Sequence, residues 1–337
     1  MTPGDPQHET YLRAAQAVAA EDAERAGVAT YLRVDPGGPA PDPAAGEPEL
    51  AARVRAVWDV LSGADADVTV QDVLAVLGDL ELRPETARTP SEPPPRLAAW
   101  RPPGTPLPPR AVRAGEVGQV ADAFVAGRLL RVVNHHDTPA SRAEEFRRDL
   151  HWYAERFAPV TAEDVHAFCR TGRWPDASRP GIVPAFYDGF ASAVQVAVPA
   201  LEEVGLVGWF YPPTDFLDVP PPHQREFARA HEYGVLEHPS GRLAMTWEEL
   251  TALAGRHEVC AHTATHAASE DVTSPARVLA EVLEPVRRLS AAIGRPPASW
   301  AWLGGTDHDP ARPGDAALAA TGVRLWTSNT GLRRLHP

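Results

Sequence analysis

The chain has 337 residues, 44% apolar and 23% charged, the make-up of a folded globular protein rather than a disordered one. Acidic residues outnumber basic ones 45 to 32, and the resulting charge of −13 argues against a nucleic-acid-binding surface. All 32 basic residues are arginine, which excludes a Schiff-base lysine and a P-loop lysine.

Two cysteines, Cys169 and Cys260, cannot build a disulfide framework. There is no run of 18 apolar residues, and the start, Met1 to Pro6, lacks a basic segment followed by an apolar one. These features lead us to expect a cytoplasmic protein without a membrane partner.

Proline punctuates the first third of the chain. Residues 1–89 read as a small helical unit, with Leu50, Val54, Val57 and Leu61 at helical spacing. Nine of the twenty residues from Pro90 to Pro109 are proline, so 90–110 reads as an extended linker. The helical unit is a place where a protein partner could dock. Residues 111–337 then change to strands alternating with helices.

Leu129 to Asn134 is a short apolar run typical of a strand buried on both faces. A capping box, Ser141-x-x-Glu144, opens a helix carrying Phe146, Leu150, Tyr153 and Phe157, and a second capped helix starts at Thr161. Ile182 to Phe186 is the next strand, followed by a helix from about Ala191 to Val204 that stops at Gly205. Leu206 to Phe210 is a strand, Thr246-x-x-Glu249 boxes another helix, and Glu258 to Ala261 is the strand after it.

The helix from Ser274 to about Gly294 contains Pro285, which predicts a kink. Ser299 to Trp302 and Val323 to Thr327 complete the strands. Such alternation predicts βαβ units and a parallel sheet, open or closed into a barrel. No strand is followed by the glycine-rich dinucleotide fingerprint.

In parallel α/β folds the working residues sit past the carboxyl ends of strands. Here those positions hold Asn134 to Asp137, Tyr187-Asp188-Gly189, His262 to His266, and Gly304 to Asp309. A His pair four apart is weak alone, since 13 histidines in 337 residues give about 0.5 such pairs by chance. Context strengthens it. Two imidazoles and a carboxylate from another strand end, Asp188, His262 and His266, make a three-ligand set with room left for water.

These residues carry a resemblance. Ala185-Phe186-Tyr187-Asp188-Gly189, then Met245-Thr246-Trp247-x-x-Leu250, then Glu258-Val259-Cys260-Ala261-His262-Thr263-x-Thr265-His266 looks like the polysaccharide deacetylase family, the NodB-homology carbohydrate esterases. His136-Asp137-Thr138-Pro139 resembles the family's H-D-V-P opening. The resemblance spans roughly residues 128 to 332. It implies an α/β fold, a deformed (β/α)7-type barrel, and a divalent metal, usually zinc, held by Asp188, His262 and His266.

The departures fall on the acid–base side. The family's general base is Tyr187 here, its arginine motif is reduced to Trp300-Ala301-Trp302-Leu303-Gly304, and its late Leu-x-His has only Leu335-His336. A phenol is a poor base at neutral pH. Asp137 and His136 are therefore candidate surrogates, with Asp307 and His308 nearby, and Trp302 is a candidate substrate contact. The resulting expectation is a metal-dependent hydrolase of a C–N amide bond, a deacetylase of an N-acetylated sugar or related small molecule. The alternative is a binding or scaffolding protein that has lost catalysis, with Tyr187, Trp209, Tyr211, Trp300 and Trp302 forming a sugar-stacking surface.

Overall fold

The computed structural model describes residues 6, 10–15, 17, 18, 30–35, 123, 124, 126–237, 241–328 and 331–335. Its centre is one sheet curled into a barrel. The strands are β1 (Thr30–Asp35), β2 (Leu129–His135), β3 (Ala158–Pro159), β4 (Gly181–Tyr187), β5 (Trp209–Tyr211), β6 (Glu258–Val259), β7 (Ser299–Trp300), β8 (Leu325–Thr327) and β9 (Gly331–Arg334). They follow the order β6-β5-β4-β2-β1-β9-β8-β7. A parallel bridge from Ala261 to Trp300, with Ala261 N–H donating to Ser299 O at 2.7 Å, joins the two ends.

Among the described residues the ring thus holds eight strands. β3 lies off it, pairing with the first residues of β4 along the edge that β5 takes up further on. The deformation has a definite source: β1 is antiparallel to β2, β9 is antiparallel to β8, and the two run parallel to each other between those neighbours. The rest of the ring is parallel.

The N-terminal boundary needs correction. A chain divided into a helical unit (1–89), a linker (90–110) and a barrel (111–337) would have no barrel strand before residue 111. Thr30–Asp35 is such a strand, paired on both edges. Its Leu32 and Val34 are buried, so burial against the barrel interior overrides the helical pattern expected around it. The helical spacing at Leu50 to Leu61 and the linker at 90–110 lie outside the described residues.

Alternation along the strands sorts the core into two layers. Leu32, Leu130, Val132, Val183, Ala185, Trp209, Tyr211 and Cys260 fill the barrel. Val133, Ile182, Phe186, Phe210 and Val259 pack outward under the helices with Leu150, Leu201, Leu250 and Leu289. Among the described residues no helix is long and apolar enough to cross a membrane.

The capping boxes at Thr161/Asp164 and Thr246/Glu249 form as expected. The one at Ser141 does not. The helix Ala143–Arg156 starts without a side-chain cap, and the Glu237 carboxylate accepts from the Ala140 and Ser141 N–H groups at 3.1 Å each. A distant carboxylate has replaced the local one at an anion-seeking helix start. Pro285 does not break its helix either. A π-turn at Leu279–Leu283 precedes Glu284–Ile293, just as one at Ala193–Ala197 precedes Val198–Val204 with Pro199. Each turn lets the chain run on into a proline that has no N–H to donate.

Candidate active site

The carboxyl ends of the parallel strands meet at one mouth. His136 follows β2, Asp188 follows β4, His262 and His266 lie past β6, Trp302 follows β7, and Thr327 ends β8. A cavity of about 230 Å³ opens there, lined among others by His136, Tyr187, His262, His266 and Trp302.

Asp188 is the hub. Its side chain is 1% exposed, and its backbone sits in the left-handed region at φ 68°, as does His266 at φ 70°. Such conformations are uncommon outside glycine, and two of them at one mouth mark a locally constrained site. Gly189 follows at φ 67°, where an added Cβ would meet Pro212 and Leu217 at 3.1 Å, so the turn presenting Asp188 requires glycine.

The two Asp188 oxygens differ. Oδ2 accepts from His136 Nδ1 at 2.8 Å. Oδ1 has no hydrogen-bond partner among the described residues and faces His266 Nε2 at 3.4 Å. His266 Nδ1 donates to the His231 carbonyl at 2.9 Å, so in the neutral ring Nε2 turns a lone pair toward a carboxylate lone pair. A shared proton or a bound cation between the two atoms would satisfy both.

Burial alone would raise the Asp188 pKa, but the His136 bond and the neighbouring His266 and His262 hold it below the usual carboxylate range. His136 shifts the other way: burial opposes its charge, yet the bond to Asp188 raises its pKa. Its side chain is 55% exposed and lines the cavity. Burial, with His266 beside it, lowers His262 to about 3, which keeps that imidazole neutral. The Thr263 N–H donates to its Nδ1 at 3.0 Å, and the ring also bonds the Ala301 backbone.

As they stand, no three His, Cys, Asp or Glu side chains among the described residues are gathered closely enough to hold a metal ion. Two of the spacings within the Asp188, His262 and His266 set are nevertheless short. Ligands at about 2.1 Å and a tetrahedral angle stand about 3.4 Å apart, and imidazole centroids on such an ion stand about 5 Å apart. The Asp188–His266 gap is 3.4 Å, and the His262 and His266 centroids are 5.1 Å apart.

The other expected site residues fare differently. Tyr187 reaches the cavity but stacks on Tyr211 at 4.8 Å and on His136 at 5.5 Å, and burial pushes its phenol pKa further up, so it is no base. Asp137 is a correction. Its Oδ1 accepts from Ser192 Oγ at 2.7 Å and its Oδ2 from the Leu236 and Glu237 N–H groups, so it ties down a loop and is not among the cavity-lining residues.

His308 packs edge-on against Trp326, and neither it nor Asp307 lines the cavity. Trp302 lines it while almost fully buried, its Nε1–H donating to Asp315 at 2.9 Å. Trp209, Tyr211 and Trp300 are buried in the core, which removes them from any stacking surface. His336 lies outside the described residues.

The structure adds residues that sequence reasoning missed. Glu281, 2% exposed on the second π-turn, accepts from Thr265 N–H at 3.0 Å and Oγ1 at 2.9 Å, fixing the loop between His262 and His266. Tyr233 packs edge-on against His266 at 4.9 Å. Leu32 joins the cavity wall beside Asn134, which the strand-end positions in the sequence already included. Only Asn134, adjacent to the His135-His136 pair at a strand end, carried a sequence signal.

No protein-family model matches the chain, and no curated protein matches its sequence. Solved structures do resemble it. The Streptococcus pyogenes deacetylase PplD, solved with acetate, is 15% identical with a TM-score of 0.44, covering 60% of this chain and 89% of that one. IcaB from Ammonifex degensii is 17% identical with a TM-score of 0.43, over 61% and 91%. A Bacillus cereus polysaccharide deacetylase is 18% identical with a TM-score of 0.42, over 61% and 60%. The barrel is similar to solved polysaccharide deacetylases.

Proposed function

We propose that the barrel is a metal-dependent amide hydrolase, a deacetylase of an N-acylated sugar or related small molecule. One observation carries the reading: the ionised, buried Asp188 holds His136 with one oxygen and leaves the other unpartnered against His266. Asp188, His262 and His266 would hold a divalent ion, zinc being well suited to two imidazoles and a carboxylate. Once bound, the ion would polarise the acyl oxygen and acidify water beside it.

The remaining work falls to the chain. His136, oriented by Asp188 through Nδ1, takes a proton from the attacking water at Nε2. The water oxygen bonds to the acyl carbon and the C–N bond breaks. His136 returns the proton to the departing amine, and the second proton of the water passes from the product acid to the same amine, giving carboxylate and ammonium. Asp188 stabilises the imidazolium between the two transfers. Tyr187 stays a neutral phenol and supplies a wall.

The test is to strip the full chain with a chelator, reload it with zinc, manganese or cobalt, and follow amine release from N-acetylglucosamine and other N-acyl amines. His136→Ala is expected to lower kcat about 10²–10⁴-fold while metal still binds. A His136→Ala enzyme within threefold of wild type, or full activity after complete metal removal, overturns the reading.

A further inference from the structure

A short stretch of chain that takes no part in the chemistry braces the mouth. Helix Gln224–Ala230 is followed by His231, and Glu232 turns the chain at a left-handed φ of 60°. The Tyr233 N–H then returns to the Ala228 carbonyl at 2.9 Å, a helix stop with glutamate where glycine is usual. Carbonyls at a helix end have no partner within the helix. The His231 carbonyl finds its partner in the His266 ring, whose Nδ1–H donates to it at 2.9 Å.

From His231 the chain runs as a strap to Glu237. Tyr233 lays its ring edge-on against His266 at 4.9 Å and packs on Phe216 and Phe227. The far end has little burial to hold it, since Leu236 is 60% exposed. Hydrogen bonds hold it instead. Asp137 Oδ2 accepts from the Leu236 and Glu237 N–H groups at 2.9 and 3.2 Å, while Oδ1 is fixed by Ser192 Oγ.

The contacts close a circuit around Asp188. His136, the residue before Asp137, bonds Asp188 Oδ2 at 2.8 Å, and Asp188 Oδ1 faces His266 Nε2 at 3.4 Å. His266 Nδ1 meets the strap, and the strap returns to Asp137. An imidazole with one nitrogen bonded to a fixed carbonyl has its ring plane and proton placed for it, as a metal ligand requires. That carbonyl is only as fixed as the strap, and the strap's far end depends on Asp137.

We propose that Asp137 is a positioning residue for His266, acting through the 231–237 strap on a ring to which it makes no hydrogen bond itself. The inference rests on the hydrolase reading above for what His266 does, and deepens it: Asp137 carries no proton for the reaction.

The experiment compares the full chain with four variants. Asp137→Ala releases the strap, whereas the amide oxygen of Asp137→Asn still accepts from both N–H groups. Ser192→Ala is a milder cut at the same tether and decides the matter if Asp137→Ala does not fold. Thr161→Ala removes a helix cap on another helix and controls for lost stability.

Three readouts are taken. Hydrogen exchange of the His266 ring N–H, followed in nitrogen-15 imidazole spectra and assigned by its loss in His266→Gln, needs no metal. Cobalt(II) titration against a competing chelator gives affinity, and the absorption of the bound cobalt reports its geometry. Amine release from N-acetylglucosamine by the cobalt-loaded chain gives activity.

Expected in Asp137→Ala are exchange about tenfold faster, cobalt affinity about tenfold weaker and an altered cobalt spectrum. Ser192→Ala should move the same way by about threefold, with Asp137→Asn and Thr161→Ala within about twofold of wild type. Unchanged exchange and affinity in Asp137→Ala, or in Ser192→Ala where the first does not fold, overturns the proposal, because aromatic packing then holds His266 unaided. Equal shifts in Thr161→Ala overturn it too, as general destabilisation. An Asp137→Asn protein that keeps exchange and affinity but loses activity about 10²-fold returns Asp137 to proton transfer and also overturns it. Faster exchange in Asp137→Ala with no cobalt bound by any protein, wild type included, keeps the positioning role and removes the metal-dependent hydrolase.

Discussion

Glu281 offers the most exacting check on how the site is held. Its carboxylate reaches from the π-turn to the Thr265 N–H and hydroxyl and also meets Arg277 at 3.2 Å. Hydrogen bonds to a charged acceptor are worth about 1.5–3 kcal/mol each. Arg277 is half-exposed and adds at most about 1 kcal/mol.

Glu281→Ala therefore costs about 3–5 kcal/mol, allowing for rehydration of the partly buried hydroxyl, and lowers Tm by roughly 6–20 °C. Glu281→Gln keeps the shape but turns an N–H toward one of the two donors, at a cost of about 1.5–3 kcal/mol. Because the held loop carries His262 and His266, metal affinity should fall about 10–100-fold in Gln as well.

Urea unfolding and a competitive metal titration, run on both variants with Arg277→Ala as control, read the two effects separately. A Glu281→Gln protein within 0.5 kcal/mol of wild type and with unchanged metal affinity would refute the reasoning.

Tyr187→Phe should leave kcat within about twofold, because a phenol held neutral by burial contributes no proton transfer; a hundredfold loss would restore Tyr187 to the chemistry. His135, stacked on Phe186 and edge-on to Phe146, has its pKa lowered by burial to about 3. The unfolded ring, near 6.5, takes a proton first as pH falls, so this stabilisation is present above about pH 6.5 and is lost on acidification toward 3, about 2 kcal/mol by pH 5. Urea midpoints at pH 7 and pH 5 should show that loss, and His135→Phe should remove its share; equal slopes in both proteins would contradict the assignment. Cleavage between Thr89 and Arg110 should leave two fragments joined through β1, separable only in denaturant; a fragment 1–89 that leaves an intact barrel on gel filtration would contradict the strand pairing.

The barrel's parallel strands and their order along the chain were readable because apolar runs such as Leu129 to Asn134 and Ile182 to Phe186 alternate with helices whose starts are written locally. The position of Asp188, His262 and His266 at the mouth was readable for the same reason, since each follows a strand. Long-range partners were not. Glu237 caps a helix about 96 residues before it, and no local pattern announces that. Glu281 supports Thr265 from a separate helix, and Asp137 is claimed by Ser192 and a loop 100 residues away, which turned a plausible proton carrier into a tether. β1 escaped because six residues in a proline-bounded stretch carry too little alternation to stand against a helical neighbourhood. Only pairing on both edges makes it a strand.

That strand also orders events in time. Nearly 300 residues separate Asp35 from its β9 neighbours, and closing a loop of that size costs about 3 kcal/mol more entropy than closing ten residues. At about 5–20 residues per second, β1 waits roughly 15–60 s after its own synthesis before residue 334 exists to flank it. Throughout that interval one edge of β1 is an open template for pairing with another chain. Conditions that slow elongation over the C-terminal third lengthen the exposure, so yield of soluble protein should depend on translation speed there more than on the stability of the finished barrel.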